Sequence, residues 1–84
     1  MNPSLTIIIP VLNEARILAA RLETLKFVRS RNVELIVVDG GSTDDSLEIA
    51  RPLCDRMLKA PAGRAKQMNE GARRATSEWL LFLH

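Results

Sequence analysis

The sequence predicts an α/β fold in which a mostly parallel sheet carries helices on both faces. Apolar, β-branched runs at residues 5–10 and 33–38 lack the alternation expected of a half-exposed strand. Between them, apolar residues such as Leu18, Leu22 and Leu25 recur at helical spacing. The elements alternate in the order β-α-β-α-β-α-β. This order implies parallel strands joined by right-handed crossovers, a Rossmann-like arrangement.

Composition limits the class of protein. The chain has 84 residues, of which 46% are hydrophobic and 26% charged, and its net charge is +2. This composition fits one small globular domain, and scattered basic residues do not indicate nucleic-acid binding. A single cysteine, Cys54, cannot form an internal disulfide, so we expect a cytoplasmic protein. No apolar run approaches the ~20 residues of a transmembrane segment, although peripheral association with the inner face of a membrane is left open.

The first half of the chain predicts two strand–helix pairs. Strand one ends at Pro10, and Asn13 is expected to cap a helix over residues 14–29. Strand two covers residues 33–38. A second helix should be capped by Ser42 or Thr43, with Asp44 and Asp45 in its first turn, where the helix dipole favours negative charge.

The second half predicts a further strand, a helix and a final strand. The second helix should end near Arg51, because Pro52 disfavours helical geometry in the residue before it. Residues 56–60 form a short strand candidate, and Gly63 begins a third helix with small apolar residues along one face. Residues 78–83 then read as a buried fourth strand, in which Trp79 is expected to belong to the core.

Ligands of such folds bind beyond the carboxyl ends of the strands, where the strand order reverses. Asp39 ends strand two beside Gly40 and Gly41, so its side chain is expected to point into this crevice. The two glycines permit positive φ and a close approach of ligand to backbone. The same rim should hold Asn13, Glu14, Gly63 and Arg64.

Several chemistries lack their motif. Residues 10–14 contain no glycine, so the G-x-G-x-x-G of dinucleotide-binding proteins is missing, and neither a P-loop nor a G-x-S-x-G elbow occurs. One cysteine and one histidine cannot form a metal cluster of their own. What remains is a rim of carboxylates and amides with an arginine at a helix start, a combination suited to a nucleotide.

Three segments carry a resemblance to a known family. They are TIIIPVLNE at residues 6–14, ELIVVDGGSTDDS at 34–46 and GRAKQMNEGARRATSEWLLFLH at 63–84. Together they resemble the N-terminal, nucleotide-sugar-binding part of a family 2 glycosyltransferase with the GT-A fold. The GRAKQMN stretch is similar to a bacterial subgroup described as radical-SAM/selenodomain-associated. Residues 1–84 would then be a partial GT-A domain.

The resemblance implies a site for a nucleoside-diphosphate sugar, usually linked to UDP. Asp39 matches the aspartate that hydrogen-bonds the base, Glu14 lies in the segment around the nucleoside, and Arg64 matches a position near the base or diphosphate. The residues expected to bind the donor are Pro10, Leu12, Asn13, Glu14, Asp39, Gly40, Gly41, Ser42, Arg64 and Asn69.

The family's metal motif, Asp-x-Asp, would begin where this sequence stops, at His84. Mg²⁺ or Mn²⁺ is therefore expected for the full-length enzyme, with its ligands and the general base of inverting transfer beyond His84. No catalytic or metal-binding residue is assigned within the chain, and we expect these 84 residues alone to be inactive. The acceptor is unknown.

Structural alternatives stay open for each site residue. Asp39 could simply shape an Asp-Gly turn, Glu14 could serve the helix dipole, and Asn13 could be a cap. Two other functions are also open: a non-catalytic nucleotide-binding module, or an inactive truncated fragment. An exposed apolar fourth strand at a sheet edge would invite aggregation, which disfavours the stand-alone module.

Overall fold

The computed structural model describes residues 3–26 and 31–84 and confirms the predicted alternation of strands and helices. The elements are β1 (Leu5–Val11), α1 (Ala15–Thr24), β2 (Val33–Asp39), α2 (Ser46–Ala50), a 3-10 turn (Arg51–Leu53), β3 (Arg56–Lys59), α3 (Arg64–Arg74) and β4 (Trp79–Phe82). Strands one and two each extend one residue beyond the predicted end. Helix α2 stops before Pro52, as the sequence predicts.

The four strands form one parallel sheet in the order β3-β2-β1-β4. β1 is central, and its Ile8 lies opposite Ile36 of β2 and Phe82 of β4. The chain adds β2 and β3 on one side of β1 and then crosses to place β4 on the other. The strand order therefore reverses at the boundary between β1 and β4.

Both faces of the central strands are covered, which explains why their sequences are continuously apolar. One face packs Ile7 and Ile9 against Leu18 and Leu22 of α1. Each of these two leucines is at most 1% exposed, and such burial contributes about 1.5–3 kcal/mol per side chain. On the other face, Ile8 and its neighbours pack against α3.

Gly71 allows α3 to approach the sheet closely. A Cβ at this position would lie 2.5 Å from Cγ2 of Ile8 and 3.2 Å from Cγ2 of Val38. A contact of 2.5 Å is too short for a real side chain. The close packing of α3 on the sheet therefore requires glycine at position 71.

The predicted start and end of the first helix need correction. α1 begins at Ala15, its N-cap is Glu14 rather than Asn13, and no side chain caps it from that position. It ends at Thr24, and the last part of the predicted helix, residues 27–29, lies outside the described residues. Asn13 instead has a left-handed backbone, with φ of 51°.

The predicted start of the second helix is also wrong. α2 begins at Ser46, so Asp44 and Asp45 precede it instead of forming its first turn, and neither Ser42 nor Thr43 caps it. The physical reason is that residues 42–44 are bonded to the loop after β1, as described below.

β4 is exposed rather than buried, contrary to the prediction. Trp79 is 71% exposed, and Leu80, Leu81 and Phe82 are also exposed. Within the described part of the chain β4 pairs only with β1, and α3 covers the other three strands. Its apolar sequence thus does not indicate burial in this structure.

The described helices give no candidate for a membrane span, because none combines sufficient length with sufficient apolar character.

Candidate functional site

A cleft of about 300 Å³ opens at the carboxyl end of β1, beside the residues that follow β4. Its lining residues are Pro10, Val11, Leu12, Glu14, Arg21, Arg64, Gln67 and His84. The cleft therefore lies at the boundary where the strand order reverses, the position at which open α/β sheets bind their ligands.

Arg64 brings a positive charge to the cleft. It is the first residue of α3 and follows Gly63, whose φ of 136° turns the chain into the helix. Among the described residues, the guanidinium of Arg64 makes neither a hydrogen bond nor an ion pair, and the residue is exposed. Its guanidinium keeps its N–H donors for a ligand, and a planar guanidinium can bind phosphate through two parallel hydrogen bonds.

Glu14 and Arg21 form an ion pair on another wall of the cleft. Nη1 of Arg21 donates to Oε1 of Glu14 at 2.8 Å, and the two side chains are 31% and 26% exposed. Oε2 of Glu14 accepts a hydrogen bond from the backbone N–H of Leu12 at 3.3 Å. The pair thus ties the second turn of α1 to the loop after β1.

Gln67 lies at the bottom of the cleft, where its side chain bonds to three backbone groups. Its Nε2 donates to the carbonyl of Val11 at 3.0 Å and to that of Val38 at 2.8 Å, and its Oε1 accepts from the N–H of Gly63 at 3.2 Å. The side chain is 3% exposed. One amide therefore links the ends of β1 and β2 to the turn that presents Arg64.

Gly40 makes room for this amide. A Cβ at Gly40 would come within 2.8 Å of Cδ and Oε1 of Gln67. Gln67 is not among the predicted site residues, although one signal was available: it lies four residues before Gly71, on the buried face of α3. A buried glutamine must find backbone partners, and the ends of two adjacent strands supply them.

The carboxylate of Asp39 accepts hydrogen bonds from the turn that follows it in the sequence. Its Oδ2 accepts hydrogen bonds from the N–H groups of Gly41 and Ser42, both at 2.9 Å, and its Oδ1 accepts from Oγ of Ser42 at 2.5 Å. The residue is 2% exposed. The carboxylate thus shapes its own turn and does not line the cleft, and its contact with a donor stays a prediction. Gly41, with φ of 101°, completes the turn.

The loops after β1 and β2 stabilise each other. Oδ1 of Asn13 accepts from the N–H of Thr43 at 2.8 Å, while the N–H of Asn13 donates to Oγ of Ser42 at 2.9 Å. Ser46 and Asp44 accept from the N–H groups at the start of α1, Glu14 at 2.9 Å and Ala15 at 3.1 Å respectively. The first helix is therefore capped by residues about thirty positions away in the sequence.

This capping makes stability depend on pH. Hydrogen bonds from the Ser46 side chain, and then from backbone N–H groups, hold the pKa of the Asp44 carboxyl below its usual value of 3.8. Because the folded pKa is lowered, the contribution of Asp44 is complete above about pH 4 and disappears as the pH falls through the folded value. We expect the difference in melting temperature between the wild type and Asp44→Asn to shrink on acidification below about pH 4.

Melting curves between about pH 2 and 6 measure this difference. Asp45→Asn is the matched control, because the Asp45 side chain makes no capping hydrogen bond to α2. A wild-type minus Asp44→Asn difference that stays constant over the whole range would contradict the role of this carboxylate.

The predicted donor-binding residues fall into three groups. Pro10, Leu12, Glu14 and Arg64 line the cleft. Asn13, Asp39, Gly40, Gly41 and Ser42 belong to the two loops beside it and are held by the contacts given above. Asn69 lies on the exposed surface of α3 and is not part of the lining. Val11, Arg21, Gln67 and His84 line the cleft without having been predicted.

A divalent cation has no ready set of ligands in residues 3–26 and 31–84. The structure brings together no group of three or more His, Cys, Asp or Glu side chains that could hold a metal ion in this part of the chain. These described residues do not by themselves fit a metal centre.

Two relatives give the first comparison. A PGL/p-HBAD biosynthesis glycosyltransferase of Mycobacterium tuberculosis is 41% identical over 88 residues, covering 96% of this chain and 34% of that protein. A glycosyltransferase of Haemophilus influenzae is 32% identical, over 96% of this chain and 35% of its own length. The chain thus spans about a third of the length of these curated relatives.

Solved structures share the fold. TarS of S. aureus superposes with a TM-score of 0.75 over 95% of this chain and 16% of that chain, at 24% identity, which speaks for the fold alone. The mannosyltransferase PcManGT from Pyrobaculum calidifontis, determined with GDP-Man and Mn²⁺, gives a TM-score of 0.71 at 25% identity over 95% of this chain and 26% of its own.

The family model for glycosyl transferase family 2 matches residues 6–84, nearly the whole sequence. This match agrees with the curated relatives and with the parallel sheet that the structure shares with GT-A proteins. The chain belongs to glycosyl transferase family 2.

Proposed function

We propose that residues 1–84 form the donor-binding part of a glycosyltransferase and that the cleft binds a nucleoside-diphosphate sugar. The observation that carries this proposal is Arg64, whose guanidinium has no partner among the described residues and lines a cleft at the reversal of strand order. A diphosphate is the part of such a donor that a free guanidinium binds best. Membership of the family supports a sugar nucleotide over other phosphates.

The proposal also specifies the nucleotide base of the donor and the residues beside it. We expect uridine diphosphate as the nucleotide, with Asp39 and its turn beside the base and Glu14 near the ribose. PcManGT was solved with GDP-Man, so a guanosine diphosphate is the competitor to compare. With three hydrogen bonds already accepted by Asp39, its main contribution is to fix the backbone of Gly41 and Ser42 against which a base would pack.

Transfer itself needs more than these residues. A divalent cation, as in the Mn²⁺ complex of PcManGT, would neutralise charge on the departing nucleoside diphosphate, and its ligands would come from outside the described residues. We expect a single displacement with inversion at the sugar carbon, assisted by a general base that this chain does not supply. Assignment to the radical-SAM/selenodomain-associated subgroup and a cytoplasmic location also stay predictions.

Nucleotide titration tests the proposal. We expect UDP to bind the purified protein more tightly than ADP, and we expect Arg64→Ala to weaken UDP binding about tenfold, the effect of losing a charge-assisted hydrogen bond or two. Isothermal titration calorimetry with UDP, GDP, ADP and uridine measures both quantities.

Lys66→Ala is the matched control, since Lys66 is an exposed cation on the same helix that does not line the cleft. It should leave UDP binding nearly unchanged. If Arg64→Ala and Lys66→Ala have the same effect, or if UDP binds no better than uridine, the cleft is not a diphosphate site.

A further inference from the structure

The cleft contains a second guanidinium, that of Arg21, and its ion pair with Glu14 uses only part of its hydrogen-bonding capacity. The guanidinium of Arg21 uses one N–H, on Nη1, in its hydrogen bond to Glu14, and it makes no other hydrogen bond within the described residues. A guanidinium carries five N–H donors in a planar fork. Most of the donor capacity of Arg21 therefore remains for a ligand in the cleft that it lines together with Arg64.

Charge in the cleft also favours an anion. Its lining has two arginines and a single carboxylate, Glu14, whose oxygens contact Arg21 and the Leu12 N–H. The pair is 26–31% exposed, so it is partly shielded from solvent and can hold the guanidinium plane in one orientation. Arg21 is presented by α1, whereas Arg64 is presented by α3, so the two charges reach the cleft from helices on opposite faces of the sheet.

We propose that Arg21 is a second phosphate-binding residue of this cleft, which acts with Arg64 on the diphosphate while Glu14 holds its guanidinium in place. This inference rests on the proposed donor site, but it assigns a residue on a different helix from any predicted phosphate contact. Two guanidiniums match the two phosphate groups of a diphosphate, whereas Arg64 alone can engage one of them bidentately.

The arrangement makes Glu14 a competitor as well as a support. A phosphate that approaches Arg21 must share it with the Glu14 carboxylate and is repelled by that negative charge. Removing the guanidinium and removing the carboxylate should therefore change anion affinity in opposite directions. A purely structural ion pair would respond in the same direction to the loss of either partner.

The experiment uses inorganic pyrophosphate as the probe, titrated calorimetrically into the purified wild type and variants at low ionic strength. We expect Arg21→Gln to weaken pyrophosphate binding about fivefold and Glu14→Gln to tighten it by about two- to fivefold, magnitudes typical of partly exposed charge pairs. Arg21→Lys keeps the positive charge but loses the planar guanidinium, so its affinity for pyrophosphate should lie between those of the wild type and Arg21→Gln. Both effects should diminish at high salt.

Arg16→Gln is the control, because Arg16 is exposed on the same helix and does not line the cleft. Melting curves of all variants confirm that they fold. The inference is overturned if Arg21→Gln behaves like Arg16→Gln, if Glu14→Gln and Arg21→Gln weaken binding alike, or if the wild type does not bind pyrophosphate.

This test is separable from the test of the donor site. Should pyrophosphate binding depend on Arg21 while UDP, GDP and ADP bind no more tightly than pyrophosphate, the anion site stands and the nucleotide-sugar proposal fails. Should UDP binding depend on Arg64 alone, the donor proposal stands and the role of Arg21 is rejected.

Discussion

Replacing Asp39 by alanine should destabilise the protein by about 3 kcal/mol, because the carboxylate accepts three hydrogen bonds and ionic hydrogen bonds contribute about 1.5–3 kcal/mol each without adding fully. The substitution leaves the N–H groups of Gly41 and Ser42 without their acceptor beside a buried position. Asp39→Asn keeps one carbonyl oxygen and should lose about half as much. Urea denaturation followed by circular dichroism measures the free energy of unfolding.

Asp45→Ala is the matched control on the same loop, since this exposed aspartate makes no capping hydrogen bond. Its cost should stay within about 0.5 kcal/mol. The opposite outcome is that Asp39→Ala unfolds at the same urea concentration as the wild type and loses only affinity for UDP. The carboxylate would then act mainly as a ligand contact, and the turn would not depend on its hydrogen bonds.

Replacing Gly71 by alanine should cost about 1–3 kcal/mol, although alanine favours helix over glycine by about 1 kcal/mol. The new methyl group would meet Ile8 at 2.5 Å and Val38 at 3.2 Å, and Ile8 is fully buried at the centre of the sheet. Since Ile8 cannot retreat without displacing its neighbours, α3 must move away from the sheet. Thermal or urea denaturation gives the loss of stability directly.

The intrinsic helix preference can be subtracted with a pair of variants at Asn69, which is exposed in the same helix. The difference between Asn69→Ala and Asn69→Gly reports the preference alone. If Gly71→Ala proved as stabilising as that difference, the helix and sheet would have room for a methyl group, and the close approach of α3 would not depend on glycine.

The strands could be predicted from the sequence because their signal is local. Continuous β-branched runs such as residues 5–10 and 33–38 occur where both faces of a sheet are covered, and the packing of Ile7 and Ile8 on opposite faces shows why. The stop of α2 before Pro52 is equally local. Fold class and element order followed from such signals alone.

The start of α2 and the role of Asn13 could not be predicted in this way. Asn13 is chemically a good N-cap, but its side-chain oxygen bonds to Thr43, thirty residues later. A capping preference describes one helix and its neighbours in sequence, whereas here Asp44 and Ser46, which follow β2, accept from the N–H groups at the start of α1. The competing partner is visible only after β1 and β2 are paired.

Only part of the candidate site could be predicted, because the sequence places residues near strand ends but does not show which helix residues face the cleft. Residues at strand ends, such as Glu14 and Asp39, could be placed near the crevice by topology. Arg21 lies two helical turns into α1, and nothing in its spacing distinguishes it from Arg16, which faces solvent. The exposure of β4 was missed because an apolar run at a sheet edge has the same composition as one at the centre.

The position of β1 has a consequence for how the chain folds during synthesis. Of the four described strands, β1 is made first, yet one of its two neighbours, β4, is made fourth. At about 5–20 residues per second, several seconds separate Val11 from Trp79 on the ribosome. Throughout that interval β1 has one unpaired edge, with free backbone N–H and C=O groups on the side where β4 later pairs. Nascent chains halted before residue 79 should therefore leave this edge of β1 unpaired, whereas β4 pairs with it in longer chains.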